Sequence, residues 1–332
     1  LYLRRKMYPL KFENIYLNKV WGGRGLKKFR DNLPKGDIGE SWDIAFNQDL
    51  ISVIKNGKLK GKTLKDAIEL YKNKLMGDCI FDKYKDFPLL LKIISAEKKL
   101  SIQVHPGEKD ILDLKENPKK EAWYVMEAKV GSYIILGSKI KDKTVLKQVI
   151  DDGTVEDYLY KVPVKKGDIF YIDSGMIHAI GKGVTLIEIQ QNSDTTYRLY
   201  DYNRGRKLDL EKGMNCVNLD IKPNKKSGLK VQLKNCNKTY CFLSEAFAME
   251  KYEVYYFLKE KSDKERFFIF TCVDGQGQIN YGEGRQNLSR GDSILIPAYM
   301  GDYTLRGNMN LLKFYIPDIE KSINSIVNII KC

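Results

Sequence analysis

Apolar residues come in short runs along most of this chain, each bounded by glycine or polar turn residues. The first series comprises Pro88–Ile94, Leu100–His105, Ala122–Met126, Ser132–Leu136, Ile169–Ile172, Val184–Gln190 and Tyr197–Tyr200. Short strands at such spacing restrict a chain to antiparallel sheets that close as barrels or jelly rolls. A second series follows: Val231–Leu233, Tyr255–Leu258, Phe267–Val273, Gln278–Tyr281, Ser293–Ile296 and Asn310–Tyr315. The two series share a device. Gly167-Asp168 runs into Ile169–Ile172 and a turn, and Gly291-Asp292 runs into Ser293–Ile296 and Pro297. The reading is an all-β-dominated protein of two jelly-roll units, residues 7–220 and 231–332, with a polar, lysine-rich stretch before the second.

Helices are few. Leu64, Ala67, Ile68, Tyr71 and Leu75 sit at helical spacing within Thr63–Met76, with Thr63 as N-cap, Asp66 three residues on and Gly77 as the stop. Two short helical patterns occupy 142–161, the second opening at Thr154 with Asp157 at the capping-box distance. The stretch Ile319–Ile330 is helical in pattern as well. The Thr63–Met76 helix reads as a packing element.

The net charge of +14 and the isoelectric point near 9.2 favour anionic partners. Lysines and arginines are spread along the whole chain without a dense basic tract, so nucleic acid is not expected. A phosphorylated small molecule fits, although a lysine-rich proteome is the simplest source of the charge. Cys79, Cys216, Cys236, Cys241, Cys272 and Cys332 are scattered, and no spacing suggests a structural zinc site. No secretory or transmembrane-length apolar run is present, and a reducing cytoplasm is the expected setting. Leu1–Lys6 reads as a start-site extension or a fragment edge.

Chemistry concentrates in Ser101–Glu121. Gln103 and His105 lie two apart in an extended run, so their side chains face the same side. Pro106-Gly107 ends the strand, and a polar, helix-like stretch leads to Glu121. The only other histidine of the chain, His178, falls in the turn that starts at Asp173. Two imidazoles, a carboxylate and an amide oxygen form a ligand set suited to catalytic zinc, with a position left open for water or substrate. Taken alone, a His-Pro pair is more often a strand end than a ligand site. Trp21 and Trp42 read as core residues rather than sugar-stacking platforms.

Gly167–His178 resembles the cupin signature G-x5-P-x-G-x2-H, with Asp173 in place of the proline. In the second copy Gly291 and Pro297 match, but Tyr299 and Asp302 replace the glycine and the histidine, which points to a degenerate cupin without a metal. The resemblance narrows further. Trp21-Gly22-Gly23, Gly39-Glu40-Ser41-Trp42, LKIISAEKKLSIQVHP at 91–106, Glu121-Ala122-Trp123-Tyr124-Val125 and QNSDTTYRLYDYNR at 191–204 are similar, in order, to the short bacterial form of the type I mannose-6-phosphate isomerase family.

This resemblance implies two cupin domains and one Zn2+ per chain, held by Gln103, His105, Glu121 and His178. It implies reversible isomerisation of mannose 6-phosphate and fructose 6-phosphate through a zinc-stabilised cis-enediolate. Arg198 matches the family's active-site arginine, Lys119 its functional lysine and Asp194 a family acid. For the base, Asp194, Lys119 and Glu40 are candidates in that order. Lys120 departs from the proline of longer members. The expected partner is a sugar phosphate, with no nucleic acid and no membrane, and the oligomeric state stays open between monomer and homodimer. Two other readings use the same residues. Two histidines and a carboxylate also make the facial triad of non-haem Fe(II) oxygenases, and the same cupin could bind a sugar phosphate without turning it over.

Overall fold

The computed structural model describes residues 6–47, 50–110, 117–282 and 284–331. Most of the polar stretch expected to be helical before Glu121 (111–116) lies outside them. The chain forms two compact units, one of residues 16–42 and 89–226, the other of residues 1–15, 43–88 and 227–332. The boundary at 226/227 falls within the polar stretch, but 1–15 and 43–88 pack with the C-terminal residues rather than with the expected first unit. Backbone pairing explains the exchange. Leu10 and Leu295 exchange hydrogen bonds of 2.8 and 2.9 Å, and Leu75 and Met76 accept from Ala298 and Phe267 at 3.0 Å.

The unit of residues 16–42 and 89–226 contains two sheets. The larger orders its strands Ile15–Gly23, Ile38–Ile44, Leu89–Ala96, Val184–Gln191, Glu121–Ala128, Ile169–Ile172 and Lys225–Lys226. The smaller orders Tyr197–Tyr200, Ile102–Val104, His178–Ile180, Tyr133–Ser138 and Leu159–Pro163. Their facing sides share one apolar core, with Trp123, Phe170 and Leu186 from the first and Ile134, Leu136 and Ile180 from the second. On the far side of the smaller sheet Ile102, Val104, Ala179 and Leu199 pack against Leu146, Val149 and Ile150 of the helix Lys143–Asp151. Strand alternation does the rest: with Ile102 and Val104 buried on one face, Gln103 must look into the space between the sheets.

The other unit is built on a large sheet ordered Leu229–Leu233, Cys236–Leu243, Ala248–Val254, Asp302–Tyr315, Phe268–Tyr281 and Gly284–Ser289, with Phe257–Lys261 and Ser293–Ile296 paired alongside. The repeated Gly-Asp device appears in both units with the same bonding. Gly167 donates to Val125 and Gly291 to Cys272, both at 2.8 Å. Val125 in turn donates to Asp168 and Cys272 to Asp292, both at 2.9 Å. The φ values of Gly167 and Gly291, 92° and 94°, are the left-handed kind that glycine adopts without penalty.

Three expectations need correction. Thr63–Met76 is not one helix. The capping box of Thr63 and Asp66 starts Leu64–Tyr71 as expected, but Lys72 (φ 48°) breaks the run before Asn73–Met76. The second pattern within 142–161 is a single 3-10 turn, Val155–Tyr158, without a Thr154 side-chain cap, and Leu159–Pro163 is a strand of the smaller sheet. Finally, Phe267–Val273 and Gln278–Tyr281 form one strand, Phe268–Tyr281, with a bulge after Cys272. Its glycines are not a turn. A Cβ on Gly275 would lie 2.2 Å from the carbonyl oxygen of Asn308, so the bare residue permits close pairing.

Candidate active site

The smaller sheet lines up three of the expected residues. Gln103 is the cross-strand partner of His178 on one side and of Arg198 on the other, so the three form a row across neighbouring strands. Glu121 enters from the first position of its strand in the larger sheet, where it pairs with Gln190 and Ile172. His105 follows the end of Ile102–Val104. Between the sheets, ligand atoms of His105, Glu121 and His178 all lie within 4.8 Å of one another.

Backbone carbonyls fix both imidazoles. His105 Nδ1 donates to the carbonyl of Thr195 and His178 Nδ1 to that of Met176, each at 2.9 Å. Each Nε2 is therefore left with its lone pair toward Glu121, 3.3 Å from Oε2 for His105 and 3.5 Å from Oε1 for His178. Burial, reinforced by the charge of Lys119, lowers the His105 pKa to about 3, and burial also lowers that of His178. Both rings are neutral at neutral pH, the form that binds a metal. Burial alone would raise the Glu121 pKa, but the ammonium of Lys119 holds it well below the ordinary carboxylate range.

Glu121 is 1% exposed, and neither of its oxygens accepts a hydrogen bond. The ammonium of Lys119 stands 3.2 Å from Oε2 and 3.0 Å from His105 Nε2. A buried carboxylate without hydrogen bonds, faced by two neutral imidazole nitrogens, fits a divalent cation. The amide of Gln103 lies 3.2 Å from His178 Nε2 through its nitrogen, and rotation about its last torsion exchanges nitrogen and oxygen there.

A cavity of about 310 Å³ adjoins these groups, although His105 and Glu121 are not part of its lining. Lys119, Asp194 and Arg198, the three residues matched to catalytic positions, all line it, as do Gln103 and His178. Arg198 donates through Nη1 to the carbonyl of Lys207 at 2.7 Å, while its buried Nε has no acceptor. Burial, then the charge of Arg206, lowers its pKa. Glu40 also lines the cavity, but both oxygens are engaged, one by Lys19 at 3.2 Å and the other by Trp42 Nε1 at 2.7 Å. Trp21 and Trp42 are buried.

Sequence reasoning missed the charged lining residues Lys19, Lys92, Glu188 and Arg206. Lys92 Nζ lies 2.7 Å from Glu188 Oε1, and Trp123 Nε1 donates to Oε2 at 2.8 Å. Burial would lower the Lys92 pKa, yet Glu188 and Glu40 raise it well above the ordinary lysine value. The available signal was a single charge inside each of two otherwise apolar runs, Leu89–Ala96 and Val184–Gln191, which pair residue for residue at Lys92 and Glu188.

Two histidines, a carboxylate and an amide converging between the sheets of a β-sandwich define the class: a cupin protein with a candidate metal site. The comparisons narrow it. A family model described as "Phosphomannose isomerase type I, catalytic domain" matches residues 10–129, and "Mannose-6-phosphate isomerase, cupin domain" matches residues 237–316. The chain is 34% identical over 307 residues to mannose-6-phosphate isomerase ManA of Bacillus subtilis (strain 168), covering 90% of this chain and 96% of the relative. It is 35% identical over 312 residues to mannose-6-phosphate isomerase of Streptococcus mutans, covering 92% and 97%. The crystal structure of the mannose 6-phosphate isomerase from Bacillus subtilis superposes with a TM-score of 0.85 at 29% identity, covering 93% of this chain and 99% of that one. The chain belongs to the type I phosphomannose isomerase family.

Proposed function

We propose that this chain is a zinc-dependent mannose-6-phosphate isomerase that interconverts mannose 6-phosphate and fructose 6-phosphate. The observation that carries the metal reading is Glu121, a buried carboxylate without hydrogen bonds and faced by the Nε2 atoms of His105 and His178. Family membership supports the reaction. The free thiols of Cys79, Cys216, Cys236, Cys241 and Cys272 suit a reducing cytoplasm.

His105, Glu121, His178 and the Gln103 amide oxygen would hold the zinc, which supplies a Lewis acid for the sugar carbonyl. The remaining work falls to side chains lining the cavity. An aldose–ketose isomerase takes a proton from the carbon beside the carbonyl and returns it to the neighbouring carbon. Asp194 is the proposed carrier of that proton, since it is a carboxylate on the cavity wall. Lys119 is buried beside the metal ligands and is placed to hold or pass a proton on the substrate oxygens. Arg198 brings a fixed guanidinium to neutralise the cis-enediolate or to grip the phosphate.

The test is a coupled assay for fructose 6-phosphate formed from mannose 6-phosphate. It is run on the purified protein, after chelation and after zinc is restored. Activity lost on chelation and regained with zinc is the expected result. A protein inactive in every metal state would sink the isomerase reading, and activity indifferent to chelation would remove the metal from it.

A further inference from the structure

The loop that follows Arg198 is built around a single buried carboxylate. Asp201 is 3% exposed and takes two arginines. Arg204 donates to it through Nη2 at 2.6 Å and Arg206 through Nε at 2.8 Å, and a second Arg206 bond runs from Nη2 to Oδ1. Arg204 also reaches the carbonyl of Lys99 at 2.7 Å, which ties the loop to the sheet. The residues between are bent into left-handed backbone, with φ of 53° at Tyr202, 57° at Asn203 and 77° at Gly205. Asparagine and glycine enter that region readily, but for Tyr202 it carries a cost that the surrounding bonds must offset.

The clamp leads to the cavity. Asp201 does not line it, but Arg206 does, beside Arg198. Because Nε and Nη2 of Arg206 are turned to Asp201, Nη1 is the nitrogen left for a ligand. Five lysines and arginines line the cavity against three carboxylates, so its wall carries a positive surplus. A planar guanidinium held in place is suited to a phosphate dianion, because little freedom remains to be lost on binding.

We propose that Asp201 is a positioning residue for substrate recognition: it holds Arg206 so that the guanidinium meets the phosphate group of a sugar phosphate, while the sugar end reaches the metal ligands. This deepens, and rests on, the isomerase reading above.

The test uses the zinc-loaded full chain, with steady-state kinetics on mannose 6-phosphate and inhibition by inorganic phosphate. Loss of one charge-assisted contact predicts that Asp201→Asn raises KM and the phosphate inhibition constant together, by about ten- to hundredfold, with a much smaller change in kcat. Arg206→Gln should reproduce the effect and Arg206→Lys should recover part of it. A role in structure alone would lower kcat or thermal stability and leave phosphate inhibition unmoved, and that result would overturn the proposal. Should Asp201→Asn fail to fold, Arg206→Gln decides the matter through the same two constants. A wild-type protein with no isomerase activity would defeat the reading in the preceding section. Direct titration of inorganic phosphate into wild type and Arg206→Gln would then still decide the clamp, and equal affinities would refute it.

Discussion

Lys92→Met tests how this protein carries charge in its interior. Lys92 and Glu188 sit on adjacent strands of the larger sheet, are 7% and 3% exposed, and approach to 2.7 Å. Methionine keeps the length of the side chain, so little cavity cost is added. What changes is Glu188, left as a buried charge with only Trp123 as a hydrogen-bond donor. Removing one partner of a buried pair costs about 3–5 kcal/mol. At about 2–4 °C per kcal/mol for a domain of this size, the melting temperature should fall by about 6–20 °C. Adding Glu188→Gln removes the stranded charge and should recover most of that loss, so the double variant is far from additive. The pH dependence has a definite sign. Burial and the charge of Glu121 already raise the Glu188 pKa, and losing Lys92 raises it further. The folded state then binds more protons than the unfolded state above the ordinary glutamate value, so the single variant's deficit should grow as pH rises and shrink toward pH 4.5. Thermal melts and urea titrations across pH measure all three effects. A single variant within about 1 kcal/mol of wild type, or an additive double variant, would refute the argument.

Further expectations can be checked by simpler means. Gly167→Ala and Gly291→Ala force alanine into the same left-handed turn and should each cost about 1–2 kcal/mol in urea unfolding; a large difference between them would deny the equivalence of the two turns. Chelation should lower the melting temperature and zinc should restore it, by about 2.7 kcal/mol at a free concentration one hundred times the dissociation constant. His105→Ala should bind no stoichiometric zinc by elemental analysis, and retention of the metal would displace His105 from the ligand set. Burial pushes the thiols of Cys236, Cys241 and Cys272 up to about 11, 12 and 12, whereas Cys79 is exposed. A thiol reagent should therefore modify Cys79 early and those three only on unfolding, with Cys79→Ser removing its share of the fast phase.

Much of the architecture was legible because the relevant signals are local. Ile169–Ile172, Tyr197–Tyr200 and Ser293–Ile296 appear with the bounds their apolar runs suggest. The Gly-Asp turns follow from backbone that only glycine adopts freely. Cys236–Leu243 and Ala248–Val254 escaped notice for an equally physical reason. Their inward positions include Lys238, paired with Glu260, and Glu250, which accepts hydrogen bonds from the hydroxyls of Tyr252 and Tyr315. Polar residues satisfied in this way erase the alternation by which a half-buried strand is recognised.

For the site, chain order and residue type were enough to nominate Gln103, His105, Glu121 and His178, because metal ligation demands particular atoms and strand alternation sets which side they face. Tertiary structure decided what surrounds them. The pairing of Lys92 with Glu188, the paired engagement of Glu40, and the hold of Asp201 on Arg206 depend on which strands become neighbours and how far a loop bends. Those relations join residues distant in the chain, and burial, rather than residue identity, decides which charges need one another.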